Sequence, residues 1–161
     1  MRWRLAHRAD SRALAIADRH YNRQKVGTPQ FAPPGRCIVL WTEGAAWTTS
    51  WPFAEHVKHR WPGAWVNSLF RKETDGLASE FIREAVAATR ALWVETPPLG
   101  MVTFVDEDKV RHKRDPGRCY LRAGFRCVGR TEGGLLAFQL LPEDMPAAEA
   151  PLDWTPWLVF S

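Results

Sequence analysis

Met101–Leu140, MVTFVDEDKV RHKRDPGRCY LRAGFRCVGR TEGGLLAFQL, is the part of the chain from which the rest can be read. It opens on an apolar run, Met101-Val102-Thr103-Phe104-Val105, of the length and composition of a short buried strand. That run ends on Asp106, and a highly charged segment follows from Glu107 to Arg118. Pro116–Ala123 has the size of a short helix, with Pro near its first turn and Gly124 just past its end. Phe125–Arg130 and Leu135–Leu140 then read as two strands, and Thr131-Glu132-Gly133-Gly134 between them is a hairpin signal. The order is strand, charged loop, short helix, hairpin, with Asp106 at a strand end and Tyr120 on the helix.

Working outward, 161 residues with 45% apolar and 25% charged side chains are the size and make-up of one globular domain. No apolar run approaches the roughly 18 residues of a membrane span, and MRWRLAHRAD lacks the apolar core of a secretory signal. No membrane partner and a cytoplasmic location are therefore expected. Three cysteines without CxxC spacing, Cys37, Cys119 and Cys127, argue against a disulfide framework or a zinc knuckle. A net charge of +4 leans towards polyanionic partners or a phosphate-bearing cofactor.

Before this block, Trp3-Arg4-Leu5 reads as a short strand. A helix is expected from a cap at Asp10 or Ser11, with Leu14, Ala17 and Tyr21 on one face and His20-Tyr21 at its end. Cys37–Trp41, Ala45–Trp51 and Trp65–Phe70 are strands, and Arg71–Gly76 is a turn in which Thr74 or Asp75 is expected to cap the next helix. The longest helix follows, from Leu77 to about Trp93, with Leu77, Phe81, Ala85, Ala88 and Leu92 at a 3.6-residue period. His56 and His59 have the spacing of a metal pair, but the Pro62-Gly63 break nearby favours a solvated basic loop. After Leu141 a Pro/Ala-rich tail, residues 142–161, ends in Trp157–Phe160, which is apolar enough to dock on the body or on a second copy of the chain. The fold class is α+β, a mixed and mainly antiparallel sheet flanked by helices, over residues 1–141.

Tyr120-Leu121-Arg122-Ala123-Gly124-Phe125 and Val128-Gly129-Arg130-Thr131 resemble the late helix and strand of the GNAT fold of N-acetyltransferases. The resemblance implies acetyl-CoA or a related acyl donor, with Arg71, Lys72, Gly76 and Ser79 at the start of the central helix as its binding residues. Arg71–Gly76 departs from the family's glycine-rich turn, having one glycine and two carboxylates. Amides at a helix N-terminus and two cations still attract phosphate there, while Glu73 and Asp75 oppose it. His20-Tyr21, Arg71, Ser79, Asp106 and Tyr120 also resemble positions of the phage Mom-type DNA-modification proteins, a divergent GNAT branch acting on adenine in DNA. That likeness implies DNA as partner, an active site of His20, Tyr21, Asp106 and Tyr120, and an iron ion on His20 and Asp106.

The residue types suit such chemistry. A histidine is the usual base near neutral pH and a common metal ligand, a carboxylate can orient it, and a phenol can donate a proton. Each also has a plainer reading: His20 near a helix end, Asp106 capping the following loop, Tyr120 packed under the hairpin. Lys109, Arg111, Lys113 and Arg114 concentrate positive charge beside this block, as phosphate neutralisation requires, and Trp47, Trp51 or Trp61 offer surfaces for an extruded base. Three functions fit the sequence: a transferase modifying a nucleobase in DNA, an acyl-CoA-dependent N-acetyltransferase for a small amine or protein amino group, and a non-catalytic nucleic-acid-binding module.

Overall fold

In the computed structural model, residues 1–20, 26–28, 31–109 and 115–155 are described. Seven strands lie in one sheet: β1 (Arg4–Ala6), β2 (Cys37–Thr42), β3 (Ala45–Ser50), β4 (Trp65–Lys72), β5 (Met101–Val105), β6 (Arg126–Arg130) and β7 (Leu136–Leu140). Their spatial order is β1-β2-β3-β4-β5-β7-β6. Every neighbouring pair is antiparallel except β4 and β5, which run parallel. The expected α+β class is observed. Among the described residues three α-helices accompany the sheet: α1 (Ser11–Ala17), α2 (Ala78–Leu92) and α3 (Arg118–Arg122).

The parallel junction follows from the chain path. A parallel neighbour needs a crossover, and α2, lying between β4 and β5 in sequence, supplies it. Its inward positions, Phe81, Ile82, Ala85, Val86, Ala88 and Thr89, recur every three or four residues and are all buried. They close the main core with Trp3, Trp47, Trp65, Tyr120, Phe138 and Leu140 on one face of the sheet. The other face is covered by α1 with Phe31 at the β2–β4 end, and by Trp61 and Ala64 over Val102 and Ala137 at the far end. The tail from Pro142 crosses α2, where Arg90 Nη1 donates to Pro146 O and Glu149 N to Ala87 O, and reaches β1 through Leu152 N to Trp3 O. The apolar residues 157–160 lie outside the described residues.

Several expectations are corrected. Arg71 and Lys72 belong to β4 rather than to a turn, because they continue the ladder opposite Ala46 and Ala45. Neither Thr74 nor Asp75 caps α2; Leu77, in extended conformation and without a side-chain cap, precedes it. Asp10 does cap α1, accepting from Arg12 N and Ala13 N. The buried residues of α1 are Ala13, Ile16 and Ala17, so its inner face is rotated from the expected one. Trp47 is fully buried, its indole N–H donating to Thr49 Oγ1, and Trp61 is 9% exposed, so neither offers a face to an extruded base. The segment expected to be a solvated basic loop is so only in part: His56 is exposed, whereas His59 is half-buried against Phe104 and Trp61.

Candidate active site

Strand β4 carries one residue too many for its partner. Thr48 pairs with Leu69 and Thr49 with Asn67, which leaves Ser68 as a β-bulge. The phase of the strand changes there. Trp65 and Phe70 pack on the same face although they are an odd number of residues apart. A bulge bends its strand, and the consequence is seen at once: β4 and β5 pair only from Trp65–Met101 to Asn67–Thr103, and then part. Between the diverging ends lies a cleft of about 220 Å³.

Both strands line it, Ser68, Leu69, Phe70 and Lys72 from β4 and Thr103, Phe104 and Val105 from β5. His20, just beyond α1, and Gly117, Cys119 and Tyr120 complete the wall. A second cleft of about 330 Å³ adjoins it, sharing Ala78, Gly117 and Cys119 and adding Leu77, Ser79, Asp115, Arg118 and Arg122. The first-turn amides of Ala78 and Ser79 have no acceptor within α2, and Arg118 and Arg122 stand across from them. Arg118 also lies 3.5 Å from Asp115 at the surface. An anionic group is favoured at this end by the helix terminus and by Arg122, while Asp115, in the same lining, offsets Arg118.

Tyr120 is 8% exposed, stacked between Phe138 (6.2 Å, 22°) and the edge of Phe125. Its position is fixed by α3, which begins on Gly117 in the left-handed conformation (φ 81°). The helix stops at Gly124 with Phe125 N donating to Tyr120 O. At the floor of the cleft the Tyr120 hydroxyl donates to Asn67 Oδ1 at 2.7 Å.

The residues singled out from sequence divide into those the fold brings to the clefts and those it does not. His20, Lys72 and Tyr120 line the first cleft and Ser79 the second. Asp106 lies at the end of β5, where its Oδ1 accepts from Asp108 N (3.1 Å) and Lys109 N (3.4 Å), the loop-capping role. Arg71 turns to the opposite side: its Nε donates to Glu73 (2.8 Å), and Arg19 grips the same carboxylate through two bonds of 2.5 Å. The Arg19 hydrogen bonds, aided by Arg71, hold the Glu73 carboxyl down at about 2. The carboxylate expected to repel phosphate is thus neutralised by partners of its own. Gly76 (φ 112°) packs its backbone against Phe81, where a Cβ would meet the ring at 3.0 Å. Tyr21, Arg111, Lys113 and Arg114 lie outside the described residues; Lys109 is exposed.

Asn67 and Thr103 were not singled out from sequence. The signal was present: each is a polar residue interrupting an apolar strand, in Trp65-Val66-Asn67-Ser68-Leu69 and Met101-Val102-Thr103-Phe104-Val105, and the register makes them neighbours. For iron, no group of three His, Cys, Asp or Glu side chains converges among the described residues. The described donors do not make an iron site, and no chemical step is assigned to one. Also among the described residues, no helix is long and apolar enough to cross a membrane.

No protein-family model matches the chain, and comparison with curated proteins and with solved structures returns no similar protein.

Proposed function

We propose that this chain is a GNAT-like transferase that modifies the amino group of a nucleobase in DNA, adenine being the base that the Mom-type resemblance implies. The observation that carries the reading is the parting of β4 and β5 at the Ser68 bulge, with Tyr120 at the cleft floor. A slot between two parallel strands admits an extended chain, and the adjoining cleft ends on helix amides and the cations Arg118 and Arg122. An acyl donor with a long arm and a phosphate-bearing end has this shape and charge distribution, and when bound it supplies an activated acyl carbon. Ala78, Ser79, Arg118 and Arg122 would hold its anionic end. Lys72 adds a further cation to the slot.

Within the cleft, Tyr120 holds a transferable proton at Oη, and His20 lines the same wall as a base for an attacking amine. Apolar walls of Leu69, Phe70, Phe104 and Val105 restrict water around both. The excess of positive charge and the basic run from Lys109 to Arg114 suit a DNA acceptor.

The test is nucleoside mass spectrometry of DNA from cells producing the protein or its Tyr120→Phe variant. A nucleoside of altered mass, lost in the variant, is expected. Unaltered nucleosides from a folded, soluble protein reject the proposal. Thermal stabilisation by acetyl-CoA with no response to DNA would select an N-acetyltransferase for a small amine or protein amino group instead. DNA binding with no activity to lose would select a non-catalytic module.

A further inference from the structure

Asn67 is 3% exposed and stands at the last ladder position before β4 and β5 part. Its side-chain amide makes four contacts. Nδ2 faces two carbonyl oxygens, Thr48 O at 3.0 Å and Leu69 O at 2.9 Å, on either side of the bulge. Carbonyls only accept, so the nitrogen must lie on that side and the orientation of the amide is settled by its neighbours. The oxygen then faces two hydroxyls, Tyr120 Oη at 2.7 Å and Thr103 Oγ1 at 3.2 Å; the latter also donates to Asn67 O at 3.0 Å. An amide oxygen cannot donate. The Tyr120 proton therefore points at Asn67, and the lone pairs of Oη point elsewhere.

We infer that Asn67 is the positioning residue for Tyr120: it keeps the phenol protonated, with its proton turned onto the amide and its lone pairs turned away from it. The inference rests on the reading of Tyr120 as the proton donor of the cleft. Two halves of one side chain do two tasks. Nδ2 ties the bulge that opens the cleft, and Oδ1 fixes the phenol that serves it, so the opening and its acid are set by the same residue. A buried amide oxygen stabilises a neutral phenol and opposes a phenolate. Delivery of the proton into the cleft then requires rotation about the Cζ–Oη bond, away from Asn67.

The chain has two tyrosines, so protein carrying ¹³C-labelled tyrosine gives two ring signals, and Tyr120→Phe identifies the one that matters. Titration of that signal in Asn67→Ala is expected to show an ionisation constant raised about tenfold, one pKa unit downward, because the partner of the neutral form is gone. An unchanged titration overturns the inference and leaves Asn67 as a tie for the bulge alone. If Asn67→Ala does not fold, the intact protein decides. A phenolic proton of Tyr120 protected from solvent exchange supports the inference, and a rapidly exchanging one overturns it. The nucleoside assay on Tyr120→Phe separates this from the functional reading. A shifted titration with unmodified DNA supports the positioning and rejects the reaction, whereas modified DNA with an unshifted titration does the reverse.

Discussion

Gly117→Ala probes the packing behind the site most directly. Gly117 holds φ 81° at the start of α3, a region that costs an L-residue about 1–2 kcal/mol. A Cβ there would lie 2.2 Å from Phe138 Cζ and 2.6 Å from its Cε2, far inside van der Waals contact. Phe138 is 2% exposed, so it can yield only by displacing its neighbours, and such overpacking costs about 1–3 kcal/mol. The smaller freedom of alanine in the unfolded chain returns about 0.4–1 kcal/mol. The net loss is about 1–4.5 kcal/mol, or a fall in melting temperature of about 3–15 °C for a chain of this size. Because the Phe138 ring stacks on Tyr120, the displacement reaches the hydroxyl, and the proposed transfer to DNA should fall even where the variant is fully folded. Urea and thermal unfolding followed by near-ultraviolet circular dichroism measure the first effect, nucleoside analysis the second. Midpoints equal to those of the wild type would refute the packing argument.

Tyr120→Phe should cost about 1 kcal/mol of stability, one buried hydrogen bond, while lowering transfer by about 10²–10⁴-fold; full activity in this variant would remove Tyr120 from the mechanism. Glu73 contributes in a pH-dependent way. Its folded carboxyl titrates at about 2 against an ordinary 4.5, so the unfolded chain takes up the proton first as pH falls. The stabilisation is complete above 4.5 and is lost on the way down to about 2. Glu73→Gln should therefore lower stability by about 1 kcal/mol at neutral pH, the scale of a surface ion-pair network, with the difference from wild type vanishing near pH 2. A difference that persists in acid would count against this account. For the proposed DNA partner, neutralising Lys109, Arg111, Lys113 or Arg114 should each reduce the slope of log K against log salt by about 0.9; an unchanged slope excludes that cation from phosphate contact.

Where the apolar period was strong, element interiors were legible from sequence; in the short α1 it was weak and the inner face was placed wrongly. Met101–Val105 and the Phe81, Ala85 and Ala88 face of α2 needed no knowledge of partners, although Leu77, expected on that face, is exposed and precedes the helix. Boundaries were not. Whether β4 ends at Phe70 or Lys72 depends on Ala45 and Ala46 of β3 continuing the ladder beside it. Charges were misjudged for a related reason. Glu73 looked hostile to phosphate, but its principal partner, Arg19, is 54 residues away in the chain. The prominence of Tyr120 was visible, and what fixes it was not. The Ser68 bulge is a mismatch in length between two strands, which neither strand shows by itself. The tryptophans were overread for the opposite reason, since an aromatic side chain looks the same in sequence whether it faces a ligand or the core.

The single parallel junction has a consequence for how the molecule assembles. Strands β1–β4 and β5–β7 are each drawn from one continuous part of the chain, and three residue pairs of ladder join the two parts. At the junction Asn67 meets Thr103 across 36 residues, a span like those of the β1–β2 and β5–β7 pairings within each part. The cleft exists only once docking is complete, because it is the gap that the junction leaves. A chain in which β4 and β5 have come apart has no site, and any ligand that spans the gap acts as a clasp, shifting the balance towards the assembled form.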